Sequence, residues 1–237
     1  GTAAAWLSFF YALKSLEPAI VNTIHTGFGS VTLVGLGMIG VKMSGAARVT
    51  RAERLFTLGI FLSLLLLASV VILQWSGSRG SGAADNVLGL ALAFASGAFI
   101  ALSTDITKRM NAKGVAPEAV LAVRFIAIVV ISAAVLFHRG AGTALADPIA
   151  LAHLAIAALI LIVGPLYLLQ IGIARTSAVS VWILLAPGPC FVFAAQLLDG
   201  RLVYSPHTLA GVVLYSLCAL GGALSRKYER NAARSSH

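Results

Sequence analysis

Asn22, His25 and Thr26 are the residues of one long apolar run whose side chains could do chemistry. Asn22, Thr26 and Gly29 share a helical face through their i, i+4, i+7 spacing, and such a polar stripe either lines a cavity or hydrogen-bonds neighbouring helices. His25 could couple to protons because imidazole titrates near neutral pH, and it fits a structural hydrogen bond equally well. The stripe predicts a substrate cavity lined by Asn22, His25 and Thr26.

Tyr167 and Gln170, three residues apart, form a second polar face after the kink-prone pair Gly164–Pro165. Their side chains can contact a polar solute or satisfy backbone groups freed by the kink. Trp182 adds a ring that either stacks on a solute or belongs to the aromatic belt at the membrane surface. We assign Tyr167, Gln170 and Trp182 to the substrate cavity and keep both alternatives open.

The elements that position these residues are apolar segments. The 237-residue chain is 59% hydrophobic and 11% charged, whereas a soluble domain carries roughly 25% charged residues. This composition predicts an integral membrane protein. The basic residues that give the net charge of +9 lie between apolar segments, so they indicate membrane topology. We expect no nucleic-acid partner. The apolar segments hold no paired carboxylates, metal-ligand motif or activated nucleophile, so we predict no enzyme, metal or cofactor.

A membrane span needs about 20 apolar residues, and the chain offers eight candidates. They lie at roughly 2–14, 18–41, 54–75, 86–106, 117–137, 149–173, 177–198 and 207–225. The predicted fold class is therefore all-α, a polytopic membrane protein with about eight transmembrane helices. A cytoplasmic C-terminus places twelve basic residues inside and four outside, as the positive-inside rule requires. We expect a multi-pass protein of the inner (plasma) membrane.

The chain matches itself weakly at an offset of 160 residues, and the two copies run in opposite predicted directions. Helix-weakening residues then fall at matching depths, as in the inverted repeats of secondary transporters. Pro187, near the bilayer centre, is predicted to line the cavity, with a kink that only adjusts packing as the alternative. We predict helix breaks at Gly27, Gly29, Gly188 and Pro189.

Four stretches resemble the EamA-domain transporters of the drug/metabolite transporter superfamily: 6–24, 118–130, 172–193 and 195–224. The resemblance implies two five-helix inverted repeats, with the first two helices missing from this chain and with Asp199 where the family usually has Glu. The three implied parts are helices 3–5 of the first repeat in 1–80, helices 6–10 of the second repeat in 86–226, and a basic cytoplasmic tail in 227–237.

Two charged residues near the predicted cytoplasmic edge are assigned structural or gating roles. Asp105 precedes Lys108 and Arg109 by one turn, which predicts an interfacial ion pair. Arg124 either snorkels to the surface or pairs with Glu118 or Asp105.

Together, the repeat and the resemblance predict a secondary transporter that moves a small organic solute by alternating access. The resemblance implies a metabolite, amino acid or drug, with export as the direction. The alternative is a non-transporting truncated membrane fragment, or a subunit requiring missing helices or a partner. The expected partners are the lipid bilayer and a small-molecule substrate, with proton coupling and a homodimer left open.

Overall fold

The computed structural model describes residues 1–41, 51–73, 82–138, 148–175, 185–198 and 205–235. Within these ranges the backbone is helical apart from short turns and end residues, and it contains no β-strand. The predicted all-α class is therefore confirmed for the described chain.

Nine α-helices are described, and a π-helical turn, Leu159–Val163, joins the sixth to the seventh. In chain order they are α1 (Thr2–Ala12), α2 (Pro18–Met38), α3 (Arg51–Ile72), α4 (Ala83–Ala112), α5 (Pro117–His138), α6 (Pro148–Ala158), α7 (Gly164–Arg175), α8 (Gly188–Leu198) and α9 (Pro206–Ser235). Helix α9 thus continues into the segment predicted to be a basic tail.

Local residue chemistry explains where several helices begin and end. Four helices start with a proline, whose missing N–H would have no intrahelical partner at that position anyway. Gly40 follows α2 with a φ of +85°, and Gly114 follows α4 with a φ of +86°. Both adopt the left-handed conformation that commonly ends helices and that glycine reaches without steric strain.

Four helical segments are long and apolar enough to cross a membrane: Pro18–Met38, Arg54–Ile72, Ala83–Ala112 and Pro117–Leu136. Helix α5 leaves large apolar side chains such as Val123, Ile126 and Val130 exposed, a surface that a water-soluble monomer rarely carries. These helices indicate a membrane-embedded protein. Shorter apolar helices follow at Pro148–Ala158, Gly188–Leu198 and Pro206–Gly222, so the count of eight spans stays a prediction.

Helix α2 lies at the centre of the packed core. It contacts α3, α4 and α8 and, less extensively, α9, while α3 packs along α9. The core side chains include Ile20 and Ile24 of α2, Leu64 and Leu67 of α3, and Tyr215 of α9, all of them fully buried. The polar stripe of α2 is therefore held on a helix that neighbours fix on several sides.

The structure contradicts the predicted helix breaks at Gly27 and Gly29. Helix α2 runs without interruption from Pro18 to Met38. A Cβ added to Gly27 would lie 2.8 Å from a methyl carbon of Leu64, and one added to Gly97 of α4 would lie 3.2 Å from the nitrogen of Gly29. These glycines permit close helix packing, the usual role of small residues between membrane helices.

The turn near the predicted breaks at Gly188 and Pro189 lies just before these two residues. Ala186 and Pro187 form a turn, and Gly188 and Pro189 form the first turn of α8. Proline is tolerated there because first-turn N–H groups lack intrahelical partners. The N–H of Cys190 donates to the Pro187 carbonyl oxygen at 3.0 Å.

Helices α5 to α7 form a loosely attached part of the molecule, which we call the α5–α7 wing (117–138 and 148–175). Its contacts with the other described helices are made mainly by α5 with α1 and by α7 with α4. Helix α6 buries none of its residues. Within the described ranges, the wing is thus joined to the packed core through one side.

Candidate functional site

A cavity of about 190 Å³ lies between the packed core and the α5–α7 wing. Its polar lining consists of Asn22, His25, Thr26, Thr104, Arg124 and Gln170. Its apolar lining consists of Trp6, Ile100, Leu121, Phe125, Leu166, Leu169, Ile173 and Leu185. The structure therefore brings together four residues that the sequence assigned to a common cavity: Asn22, His25, Thr26 and Gln170.

The α2 wall of the cavity is a regular helix with polar side chains turned toward the space. The Thr26 hydroxyl donates to the Asn22 carbonyl oxygen at 2.7 Å, which fixes its rotamer within the helix. Gly188, at the start of α8, lies close to the Asn22 amide, since a Cβ there would stand 3.8 Å from Asn22 Nδ2. Asn22 thus lies where the core part of the cavity meets the turn before α8.

His25 is held in one orientation by a chain of hydrogen bonds. Its Nδ1 lies 2.7 Å from the Ser96 hydroxyl, which donates its own proton to the Ala5 carbonyl oxygen at 2.8 Å. Because the Ser96 hydroxyl donates to Ala5, it accepts from His25, so Nδ1 carries the hydrogen. In the neutral ring, Nε2 is then an acceptor. The rings of Trp6 and Phe9 pack at centroid distances of 6.5 and 5.1 Å. His25 therefore makes a structural hydrogen bond to Ser96 and also lines the cavity.

Arg124 connects the wing to the core through uncharged partners. Its Nε donates to the Thr2 hydroxyl at 3.0 Å, and its Nη1 donates to Gln170 Oε1 at 3.2 Å. Thr2 is in turn 2.6 Å from the Ser103 hydroxyl of α4. A hydroxyl has two acceptor lone pairs, so Thr2 can accept from Arg124 while either hydroxyl donates in its bond with Ser103. One guanidinium thereby ties α5 to α1, α4 and α7.

The prediction that Arg124 pairs with Glu118 or Asp105 is wrong. Asp105 accepts from Arg109 Nε at 2.7 Å, one turn along α4, as the predicted interfacial ion pair requires. Glu118 accepts from the Tyr167 hydroxyl at 3.0 Å. Within the described residues, Arg124 therefore has no carboxylate partner.

Gln170 is 1% exposed and has an unsatisfied donor. Its Oε1 accepts from Arg124, but its Nε2 finds no hydrogen-bond partner among the described residues. A buried unpaired donor costs about 1–3 kcal/mol, and such groups in native proteins call for an explanation such as a water or a ligand. Because Gln170 lines the cavity, the unpaired nitrogen marks a place for an acceptor.

Two residues predicted to line the cavity do not do so. Tyr167 is 38% exposed, and its hydroxyl bonds Glu118 outside the cavity. Pro187 lies in the turn before α8, and the nearby lining residue is Leu185. Trp182 lies outside the described residues, as does Asp199. Tyr167 and Pro187 therefore do not line this cavity among the described residues, and their substrate-binding roles stay predictions.

Sequence reasoning missed several residues of the site, notably Thr2, Trp6 and Thr104. Ser96 and Ser103 are seven residues apart and so share a face of α4, a face that the sequence interpretation assigned to helix packing. Thr2 and Ser103 are 101 positions apart, and nothing local pairs them. Arg124 was assigned to the membrane edge, and the structure places it in the cavity wall.

No protein-family model, curated protein or solved structure matches this chain. The geometry of the cavity is therefore the basis for its interpretation. It offers a guanidinium, an unpaired amide donor, an imidazole nitrogen and an apolar wall, a combination suited to binding a small polar-headed solute.

Proposed function

We propose that this chain is a secondary transporter of the EamA type that moves a small organic solute across the inner membrane by alternating access. The carrying observation is the cavity of about 190 Å³, which collects polar side chains among apolar helices. Polar and ionisable groups inside a membrane are energetically expensive, and they commonly mark substrate pathways. The proposed topology has eight spans and a cytoplasmic C-terminus, and the proposed direction is export.

The unequal packing on the two sides of the cavity supports a rocking motion. The core side rests on the extensive contacts of α2 with α4 and of α3 with α9, whereas the wing meets the core mainly through α1 and α4. Alternating access moves one helix group against another around a fixed site. The hydrogen bond from Arg124 of the wing to Thr2 of the core lies where such a movement would open or close the cavity.

The test is transport by the purified chain in liposomes, measured as counterflow with a panel of radiolabelled amino acids, organic acids, amines and dyes. We expect at least one class to exchange. The double variant His25→Ala/Gln170→Ala should abolish that exchange or change the preferred solute, with expression intact. Ser69→Ala is the control, because its hydroxyl bonds only the Leu66 carbonyl oxygen of its own helix, at 2.7 Å.

A second candidate is a non-transporting subunit that requires partner helices. Helix α6 favours it, because none of its residues is buried and a partner could cover its apolar surface. A folded, monodisperse chain that exchanges no solute of the panel would contradict the transporter and support the subunit. Exchange by the chain alone would reject the subunit.

A further inference from the structure

The cavity wall carries a positive charge without a matching carboxylate. Arg124 lines the cavity, and the lining residues that the structure describes include no Asp or Glu. Asp105 and Glu118, which could have balanced it, bond Arg109 and Tyr167 instead. A guanidinium keeps its charge in proteins, and a buried charge is unfavourable unless another charge or dipoles compensate it. The electrostatics of the cavity therefore favour an anion.

Two side chains of the cavity wall have hydrogen-bond donors without a described acceptor. A guanidinium has five N–H groups, and among the described residues Arg124 donates to Thr2 and Gln170 only. Gln170 Nε2 adds a buried donor without a described partner. A ligand that supplies two acceptor oxygens would satisfy both side chains, and a carboxylate presents two oxygens in a geometry that matches the guanidinium fork.

The rest of the cavity sets the size and polarity of the ligand. Trp6, Leu121, Phe125 and Leu169 provide an apolar wall around a space of about 190 Å³. An apolar cavity of ~150 Å³ in another protein holds benzene. We propose that the cavity binds a small organic monocarboxylate, with Arg124 and Gln170 on the carboxylate and the apolar wall around its hydrocarbon part. The proposal rests on the transporter function and names its substrate class.

A monocarboxylate fits better than a phosphate ester. One guanidinium balances one negative charge, and the described lining offers no second cation for a dianion. An anionic lipid headgroup could supply the same chemistry, so the binding experiment must separate a free solute from a lipid.

The experiment compares three probes of nearly the same shape, benzoate, benzamide and benzamidine, which differ in charge. Binding to the purified chain in uncharged detergent is measured by calorimetry and by the shift in unfolding temperature. We expect benzoate to bind about tenfold or more tightly than benzamide and benzamidine not to bind. Arg124→Gln should reduce the preference for benzoate over benzamide to about twofold or less.

Two further variants and a competition experiment with an anionic lipid distinguish the proposal from its alternatives. Since Arg124→Gln also removes the bond to Thr2, Gln170→Leu provides a second variant that keeps the charge; it should weaken benzoate about threefold to tenfold. Lys113→Gln, which removes a cation at the exposed end of α4, should leave benzoate binding unchanged. Phosphatidylglycerol that displaces benzoate from the wild-type chain would overturn the assignment to a free solute.

The proposal is overturned if benzamide or benzamidine binds as tightly as benzoate, if benzoate does not bind at millimolar concentration, or if Arg124→Gln keeps the full preference. Benzoate binding without any counterflow would leave the ligand class intact and reject the transporter. Counterflow of amines or neutral solutes by a chain that does not bind benzoate would support the transporter and reject the monocarboxylate ligand class.

Discussion

The Arg124 Nη1 atom lies 3.2 Å from the Gln170 Oε1 atom, and this hydrogen bond joins α5 to α7 across one wall of the cavity. The same guanidinium reaches Thr2 on α1 at 3.0 Å. Any movement of the wing against the core must stretch or exchange the bond from Arg124 to Thr2, whereas the bond from Arg124 to Gln170 lies within the wing. In the proposed transporter, Arg124 therefore couples occupancy of the cavity to the position of the wing.

Gln170→Leu is expected to reduce transport about tenfold while the protein remains folded. Leucine removes the unpaired Nε2 but also leaves Arg124 Nη1 without its acceptor, and the loss of a bond to a charged group costs about 1.5–3 kcal/mol. Thermal unfolding and counterflow should be measured on the same preparation. Wild-type kinetics in this variant would remove Gln170 from the site.

His25→Asn is expected to keep the stability of the wild type, and His25→Ala to lose about 1 kcal/mol. The amide of asparagine can donate to Ser96 as Nδ1 does, whereas alanine leaves that hydroxyl with Ala5 alone. Chemical unfolding of the two variants checks this. Equal loss in both would show that the ring packing against Phe9 dominates.

Gly97→Ala is expected to destabilise the protein by about 1–3 kcal/mol. The new methyl would lie 2.8 Å from the His25 carbonyl oxygen and 3.2 Å from the Gly29 nitrogen, both backbone atoms that cannot move aside. The matched control is Gly35→Ala, on the exposed end of α2, where nothing lies within 4 Å of the new carbon. The control should be neutral or slightly stabilising, because alanine favours helix. Similar unfolding temperatures for both variants would contradict the close contact.

Gln196→Leu is expected to cost about 1–3 kcal/mol of stability without changing solute preference. Gln196 of α8 donates to Glu17 Oε2 at 3.1 Å and accepts from the Ala19 N–H at 3.3 Å, and both partners are buried. Leu198→Ala, at an exposed site on the same helix, serves as the control. Denaturant unfolding and counterflow together check it, and an altered solute preference would speak against a purely structural role.

The positions of the helices could be predicted because each depends on a local pattern. The expected span 117–137 corresponds to α5 at Pro117–His138, and the expected start of another at 18 is the start of α2. Apolar length and proline at the first position suffice for such elements. The grouping of Asn22, His25 and Thr26 followed from helical spacing in the same way.

The predictions that were wrong concern contacts between distant parts of the chain. Arg124 meets Thr2 across 122 positions, and His25 meets Ser96 across 71, so neither pairing leaves a local signal. A glycine in a membrane helix is consistent with either a helix break or a close helix contact. For Gly27, the nearby side chains of Leu64 and Tyr215 show that it is a close contact. Tyr167 lies three residues before Gln170, which turns it about 60° around α7 to the side away from the lining residues Leu169 and Ile173.

The unburied surface of α6 has a consequence for the medium in which the protein works. The described chain buries none of the residues of this helix, so in the proposed membrane topology lipid acyl chains pack against it. A mismatch between an apolar segment and the hydrocarbon thickness is relieved by tilting, at a modest free-energy change for each ångström. Tilting α6 would carry α7 and Gln170 with it through the continuous helical run from 148 to 175. Bilayer thickness is then expected to tune the shape of the site, and lipids of different chain length should give different affinities for one solute.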